Sequence, residues 1–312
     1  MRDQPGRMGI GIIGAGKVGA VLGAALRAAG HVITGVHAVS EESLTRAEAL
    51  LPEVPILEIP EIMRRSEVVL FAVPDDVLEP LVTGLTDGGH LGPGQILIHT
   101  SGRSGTQVFA AALRAGAIGL AIHPAMTFTG LSLDVARLRQ ATFGVTAASP
   151  FLPIAQALVL EMGGEPLVVA EGDRPLYHAA LAHASNHLIT LVGQSIQMLS
   201  SLGAADPAQV LGPLLKASLE NVLASGDSAL TGPVARGDVG TVAAHREVLE
   251  SFAQEEGAAD IGETYRAAAS ATARRAHAHG RLDAESLQQV LRALDPRQQE
   301  DGSRDEGPAQ GT

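Results

Sequence analysis

The residues able to do chemistry in this chain gather in one glycine-rich turn and a few histidine-bearing segments. The turn reads Gly14-Ala15-Gly16-Lys17-Val18-Gly19 and lies between an Ile-rich run and an Ala/Leu pattern of helical spacing. In such a strand-turn-helix, Gly14 allows the tight turn. Gly16 lets backbone approach a pyrophosphate, and Gly19 permits close helix–strand packing, with the anion on the helix N-terminus. Lys17 and Val18 sit inside the same turn and are expected at the cofactor with the glycines. The expected ligand is therefore a dinucleotide, NADP or NAD. An NAD site usually carries an acid about 20 residues further on. Here the second strand ends Val36-His37-Ala38-Val39-Ser40 without one. Ser40 and His37 lean the site toward a 2′-phosphate, whereas Glu41 and Glu42 lean against it.

Two further turns follow buried runs, where sheets of this kind bind ligands. FAVPDD places Val73, Pro74 and Asp75 beside the cofactor, with Asp75 or Asp76 read first as a helix cap. HTSG places Ser101 there too, and its His99 reads better as a hydrogen-bonded structural residue. IHPAMTFTG offers His123, equally open to structural and catalytic readings. RPLYHAALAHASNH puts His183, Asn186 and His187 at i, i+3 and i+4, on one helical face. A histidine titrating near neutrality passes protons to and from a reacting oxygen, and an adjacent amide holds that oxygen. The alternative is a polar stripe on a buried helix. No acid accompanies these histidines, so no metal site is expected. Arg236, in a Gly/Pro-containing loop, has the planar fork suited to a substrate carboxylate or to a structural ion pair, and Asp238 reads as an N-cap.

Composition narrows the field. The 312 residues include no Cys, which removes disulfides, thiol nucleophiles and cysteine-ligated metals. A formal charge of -12, 3% aromatic residues and no Trp argue against nucleic acid as a partner. The apolar stretch from Met8 to Gly30 imitates a signal or membrane span, but Lys17 and repeated glycines interrupt it. A cytoplasmic protein without membrane attachment is expected.

The elements that must position these groups follow from periodicity. Strand-like runs at 9–13, 31–36, 67–73, 95–99, 117–122, 142–146 and 166–169 alternate with helical patterns at 17–29, 76–85, 106–115 and 150–162. That alternation predicts an α/β, doubly wound parallel sheet of the Rossmann type over residues 8–170. Helical spacing alone follows, at 175–202, 207–224, 239–256, 261–279 and 284–294. It predicts an all-α domain over 171–295, and a homodimer is expected of its apolar helices. Residues 1–7 and 296–312 lack the apolar side chains of a core and are expected to be disordered.

The segments GIIGAGKVG, FAVPDDVL, IHTSG, AIHPAMTFTG, RPLYHAALAHASNH and ALTGPVARGD together resemble bacterial Rossmann-like proteins with a C-terminal helical domain of unknown function. That group is similar to the superfamily of 6-phosphogluconate, 3-hydroxyisobutyrate and prephenate dehydrogenases, pyrroline-carboxylate reductase and ketopantoate reductase. The resemblance implies a 6-phosphogluconate-dehydrogenase-like helical domain and hydride transfer between NAD(P) and a small carboxylate-bearing hydroxy or keto compound, ketopantoate-like as a first candidate. It aligns His183 with the lysine and Asn186 with the asparagine of the Lys-x-x-Asn helix pattern, and His123 with the histidine of a His-Pro-Met motif. By the same resemblance His183 is the general acid/base, Asn186 orients the oxygen, His123 assists, and Arg236 and His187 meet the substrate. The missing lysine keeps open a second reading, a dinucleotide or metabolite sensor without catalysis.

Overall fold

The computed structural model describes residues 7–295. The expected disordered segments 1–7 and 296–312 lie outside the described residues, except for Arg7. The chain divides into two compact units after Ser185, later than the change of pattern at residue 170. This division falls within a helix, so each unit is described by itself.

The first unit runs β1 (Gly9–Ile13), α1 (Lys17–Ala28), β2 (Val32–His37), α2 (Glu41–Leu50), α3 (Ile59–Arg65), β3 (Val68–Phe71), α4 (Asp75–Asp87) and β4 (Ile96–His99). It continues with a 3-10 turn (Thr106–Phe109), α5 (Ala110–Arg114), β5 (Ile118–Pro124), α6 (Ser132–Arg137), β6 (Thr142–Ala147), α7 (Leu152–Glu161) and β7 (Glu165–Val168), and takes in the first turns of α8 (Arg174–Ser201). The strands form one sheet in the order β2-β1-β3-β4-β5-β6-β7. Side chains alternate across it with the two-residue period of a strand. Ile10, Ile12, Leu70, Ile98, Leu120 and Ile122 enter one core with residues of α1 and α7. Ile13, Val69, Phe71 and Leu97 enter the other with residues of α3, α4 and Phe109. Apolar residues on both faces are what a sheet covered on both sides requires.

Two features correct the sequence reading. β6 pairs antiparallel to β5, so the sheet is mostly rather than wholly parallel. The connection between them contains only the six-residue α6 and a 3-10 turn. At 1.5 Å per residue that helix spans roughly 9 Å, too short to carry the chain back along a strand for a parallel crossover. The second feature is α2 and α3, between the second and third strands. The sequence EESLTRAEAL buries only Ala47 and so shows little apolar stripe; its start is marked instead by Ser40, whose hydroxyl accepts from the Ser43 amide.

The second unit holds the rest of α8, then α9 (Pro207–Ser225), α10 (Pro233–Arg236), α11 (Val239–Glu256), α12 (Ala259–Ala278) and α13 (Ala284–Leu294). Ala269, Ala273 and Ala276 of α12 pack with Val242 of α11 and Val290 and Leu294 of α13. Asp238 caps α11 by accepting from the Thr241 amide. α9 is different, because none of its side chains is buried. Among the described residues no helix is long and apolar enough to cross a membrane.

Candidate functional site

β1, β3, β4 and β5 run parallel, so their C-terminal ends share one edge of the sheet. Chain order reverses across β1, which lies between β2 and β3. In doubly wound sheets ligands bind at that edge, at that reversal.

The glycine turn sits there, and its three glycines face different surroundings. Gly14 has φ +98°, a left-handed conformation that favours glycine, and a Cβ on it would lie 2.5 Å from the Ala72 carbonyl oxygen. A Cβ on Gly19 would lie 2.0 Å from the Gly14 carbonyl oxygen and 2.8 Å from the Ala72 Cβ. A Cβ on Gly16 would meet nothing within 4 Å. Gly16 is also the N-cap of α1, with no side chain bonded to the cap and no acid in the first turn. The helix therefore presents its amides and the positive end of its dipole to an unfilled space, the local requirement for a bound pyrophosphate. Val73 packs against Gly14. Lys17 is exposed and Val18 half-buried at the same turn.

Along the edge, Pro74 rather than an aspartate caps α4. Asp75 lies in the first turn and accepts from the Arg103 guanidinium at 2.9 Å, tying the loop after β3 to the loop after β4. The structural reading of His99 holds. Fully buried, its Nδ1 accepts from the Ser101 amide and its Nε2 bonds the Gly105 carbonyl oxygen. Burial pushes its pKa down to about 4, so it stays neutral and staples the β4 loop. Ser101, also buried, accepts from the Ser104 amide.

Beneath that loop lies a residue that the sequence reading passed over. Arg174 is fully buried at the start of α8. Its guanidinium donates to the carbonyl oxygens of Ser101, Gly102, Ala121 and Gly144 and to the Thr146 hydroxyl. One side chain thus joins the β4 loop, β5 and β6.

Three and four residues further along α8, about one turn, Tyr177 and His178 complete a cluster with His123. The His123 Nδ1 lies 3.0 Å from the Tyr177 hydroxyl, their rings edge to face. His178 packs against His123 in the same manner, ring centroids 6.0 Å apart. Gly102 makes room for both: a Cβ there would sit 2.6 Å from His178 and 3.0 Å from the His123 Nε2. Gly144 does the same for the Tyr177 ring. Burial, reinforced by Arg174 and then His178, lowers the His123 pKa to about 4. Burial raises that of Tyr177. The cluster is thus a neutral imidazole joined to a protonated phenol. β5 lies three strand spacings from β1, roughly 14 Å at about 4.8 Å each.

The other candidates lie elsewhere. His183 is exposed, five and six residues beyond His178 and Tyr177, and so rotated by roughly 140° and 240° around α8 at 3.6 residues per turn. Asn186 and His187 are exposed and open the second unit, where Arg236 is exposed at the end of α10. Ser40 is engaged as the cap of α2, and the His37 Nδ1 bonds the Leu57 carbonyl oxygen. Among the described residues no cluster of His, Asp and Glu fits a metal. Arg174, Tyr177 and His178 carry the same i, i+3, i+4 signal that drew attention to His183, Asn186 and His187, so the pattern that finds them was present one stretch earlier.

Residues 2–124 match the family model for a Rossmann-like domain, and residues 141–272 match that for a domain of unknown function, DUF2520. No curated protein matches the chain. Among solved structures, a Bacteroides fragilis protein classed provisionally as an NADP oxidoreductase is 18% identical with TM-score 0.72, covering 86% of this chain and 98% of its own. A Thermotoga maritima protein is 24% identical with TM-score 0.61, covering 86% and 99%. An imine reductase from a Pseudomonas species is 17% identical with TM-score 0.57, covering 88% and 99%. These likenesses establish a shared fold.

Proposed function

Because the chain joins a Rossmann-like domain to a DUF2520 domain, we propose that it is an NAD(P)-dependent oxidoreductase acting on a small carboxylate-bearing hydroxy or keto compound, ketopantoate-like in the first instance. The observation that carries this reading is the unfilled space at Gly16, framed by the forced glycines Gly14 and Gly19 at the uncapped start of α1. The shared fold with a Plasmodium falciparum pyrroline carboxylate reductase bearing NADP, 13% identical with TM-score 0.54, supports it.

The bound nicotinamide would supply or accept the hydride. The chain's residues do the rest. Gly14, Gly16 and the first amides of α1 hold the pyrophosphate, while Val73 and Ser101 line the edge toward β4. His123 handles the proton: kept neutral, it has a free Nε2 when its Nδ1–H donates to the Tyr177 oxygen. That nitrogen accepts a substrate hydroxyl proton during oxidation and returns it during reduction. Tyr177 holds the ring in this tautomer and orientation. Arg174 is saturated by protein acceptors and is not available to a substrate carboxylate.

The active species is a homodimer in this reading. Val210, Leu214, Leu219, Val222 and Leu223 of α9 are 46 to 78% exposed. Apolar surface on that scale marks an interface, and a second copy supplies an equally apolar partner.

Titration with NADPH and NADH, followed by nicotinamide fluorescence and a keto-acid panel, tests the proposal. Saturable binding with turnover on one substrate is expected, and His123→Ala should lower kcat roughly 100-fold with cofactor affinity unchanged. Binding without turnover across the panel would turn the assignment to a sensor. Loss of turnover in His183→Ala but not in His123→Ala would move proton transfer to α8.

A further inference from the structure

The β5–α6 loop reaches toward α1 and α2. The Asp134 carboxylate, buried, accepts from the Thr129 and Gly130 amides and the Thr129 hydroxyl, which fixes the loop. Gly130 has φ +85°, and a Cβ on it would lie 3.1 Å from the Arg46 side chain and 3.1 Å from that of Lys17. Two cations from different helices therefore flank one glycine. Neither makes an ion pair or side-chain hydrogen bond among the described residues, although Arg46 is half-buried. Lys17 opens α1 beside the pyrophosphate space. Arg46 stands in the second turn of α2, whose cap Ser40 follows the end of β2. Between those two helix starts runs the adenosine ribose of a dinucleotide held in this fold.

We infer that Lys17 and Arg46 form the pocket for a phosphomonoester on that ribose, making the protein selective for NADP(H) over NAD(H). The inference rests on the dinucleotide reading above. A dianion between an ammonium and a guanidinium fork gains charge-assisted hydrogen bonds that a ribose hydroxyl cannot match. The Ser40 hydroxyl is already engaged, accepting from the Ser43 amide and donating to the Glu42 carboxylate, so the phosphate is left to the two cations. The acids nearby are accounted for. Asp134 is spent on loop amides and Arg137. The Glu42 carboxylate accepts from its own backbone amide and from the Ser40 hydroxyl, which lowers its pKa, and the charge of Arg46 adds a smaller pull in the same direction. Glu41 is exposed.

The test is equilibrium binding of NADPH, NADH and adenosine 2′,5′-bisphosphate to the full chain, with Arg46→Gln and Lys17→Gln, all checked for unchanged thermal melting. The wild type should bind NADPH at least tenfold tighter than NADH and should bind the bisphosphate. Arg46→Gln should weaken NADPH and the bisphosphate by 10- to 100-fold while shifting NADH less than threefold, and Lys17→Gln should weaken NADPH and the bisphosphate by a clearly larger factor than NADH. Equal affinity for the two cofactors in the wild type, or parallel losses for both in the variants, would overturn the phosphate pocket and leave the dinucleotide site standing. Failure of every dinucleotide to bind would remove both.

Discussion

Replacing Gly16 and Gly19 separately by alanine should separate binding from folding, since the same methyl group meets opposite surroundings at the two positions. At Gly16 the backbone is extended, with φ −68° and ψ −170°, which alanine adopts without strain, and the new Cβ touches nothing within 4 Å. Alanine loses about 0.5 kcal/mol as a cap and regains about as much from a less disordered unfolded chain. The melting temperature should stay within about 3 °C of the wild type. At Gly19 the Cβ would stand 2.0 Å from a carbonyl oxygen. That atom belongs to the backbone of a turn pinned under Ala72, so no side-chain rotation relieves the overlap. Overpacking of this kind costs about 2–3 kcal/mol, or roughly 4–12 °C at 2–4 °C per kcal/mol. Differential scanning calorimetry reads the first quantity, and nicotinamide fluorescence titration the second. Gly16→Ala should bind dinucleotide at least tenfold more weakly while melting normally. If it retains full affinity, the space before α1 is not where the pyrophosphate lies. If it melts as low as Gly19→Ala, that space is not empty.

Three further outcomes are expected. Arg174→Met should lower stability by about 3–5 kcal/mol, because it strands buried acceptors that no water reaches; urea denaturation showing less than about 1 kcal/mol would mean that the guanidinium is not the tie it looks to be. Stability should fall as pH drops from about 6.5 toward 4, since His99 and His123 resist protonation in the folded state while their unfolded counterparts take up protons; the urea midpoint at pH 5 should lie below that at pH 7, and His99→Gln should flatten the difference. Leu214→Glu on α9 should convert a dimer to monomer in sedimentation velocity, and a wild type that sediments as a monomer at micromolar concentration would refute the dimer.

The sequence carried some of these features openly and hid others for identifiable reasons. The glycine turn was legible because its spacing dictates the backbone: only glycine serves at φ +98° and at a 2.0 Å approach. The strands were legible as apolar runs, since a sheet covered on both faces has no polar side to disguise them. The direction of β6 was not, because its local run is the same either way and the reversal depends on how far the short α6 can reach. α2 escaped notice for want of an apolar stripe. Arg174 and Tyr177 escaped because the histidine-and-asparagine pattern further along α8 resembled a familiar catalytic helix. Burial, which sequence does not display, is what gathers His123, Tyr177 and His178.

Arg174 also decides where the first unit ends as a piece of matter. Its acceptors lie 28 to 73 residues earlier in the chain, on three separate segments. A protein severed at residue 170, where the strand pattern stops, would contain every strand of the sheet and lack the group that satisfies its last loop. Ser101, Gly102, Ala121 and Gly144 would then lose the donor that ties their carbonyl oxygens together, and their neighbourhood would exchange amide hydrogens as an unclosed region. The start of α8 is thus the final ligand of the sheet, arriving after the sheet's own chain has run out. A self-sufficient fragment must extend to about Ser185, where the compact unit itself ends.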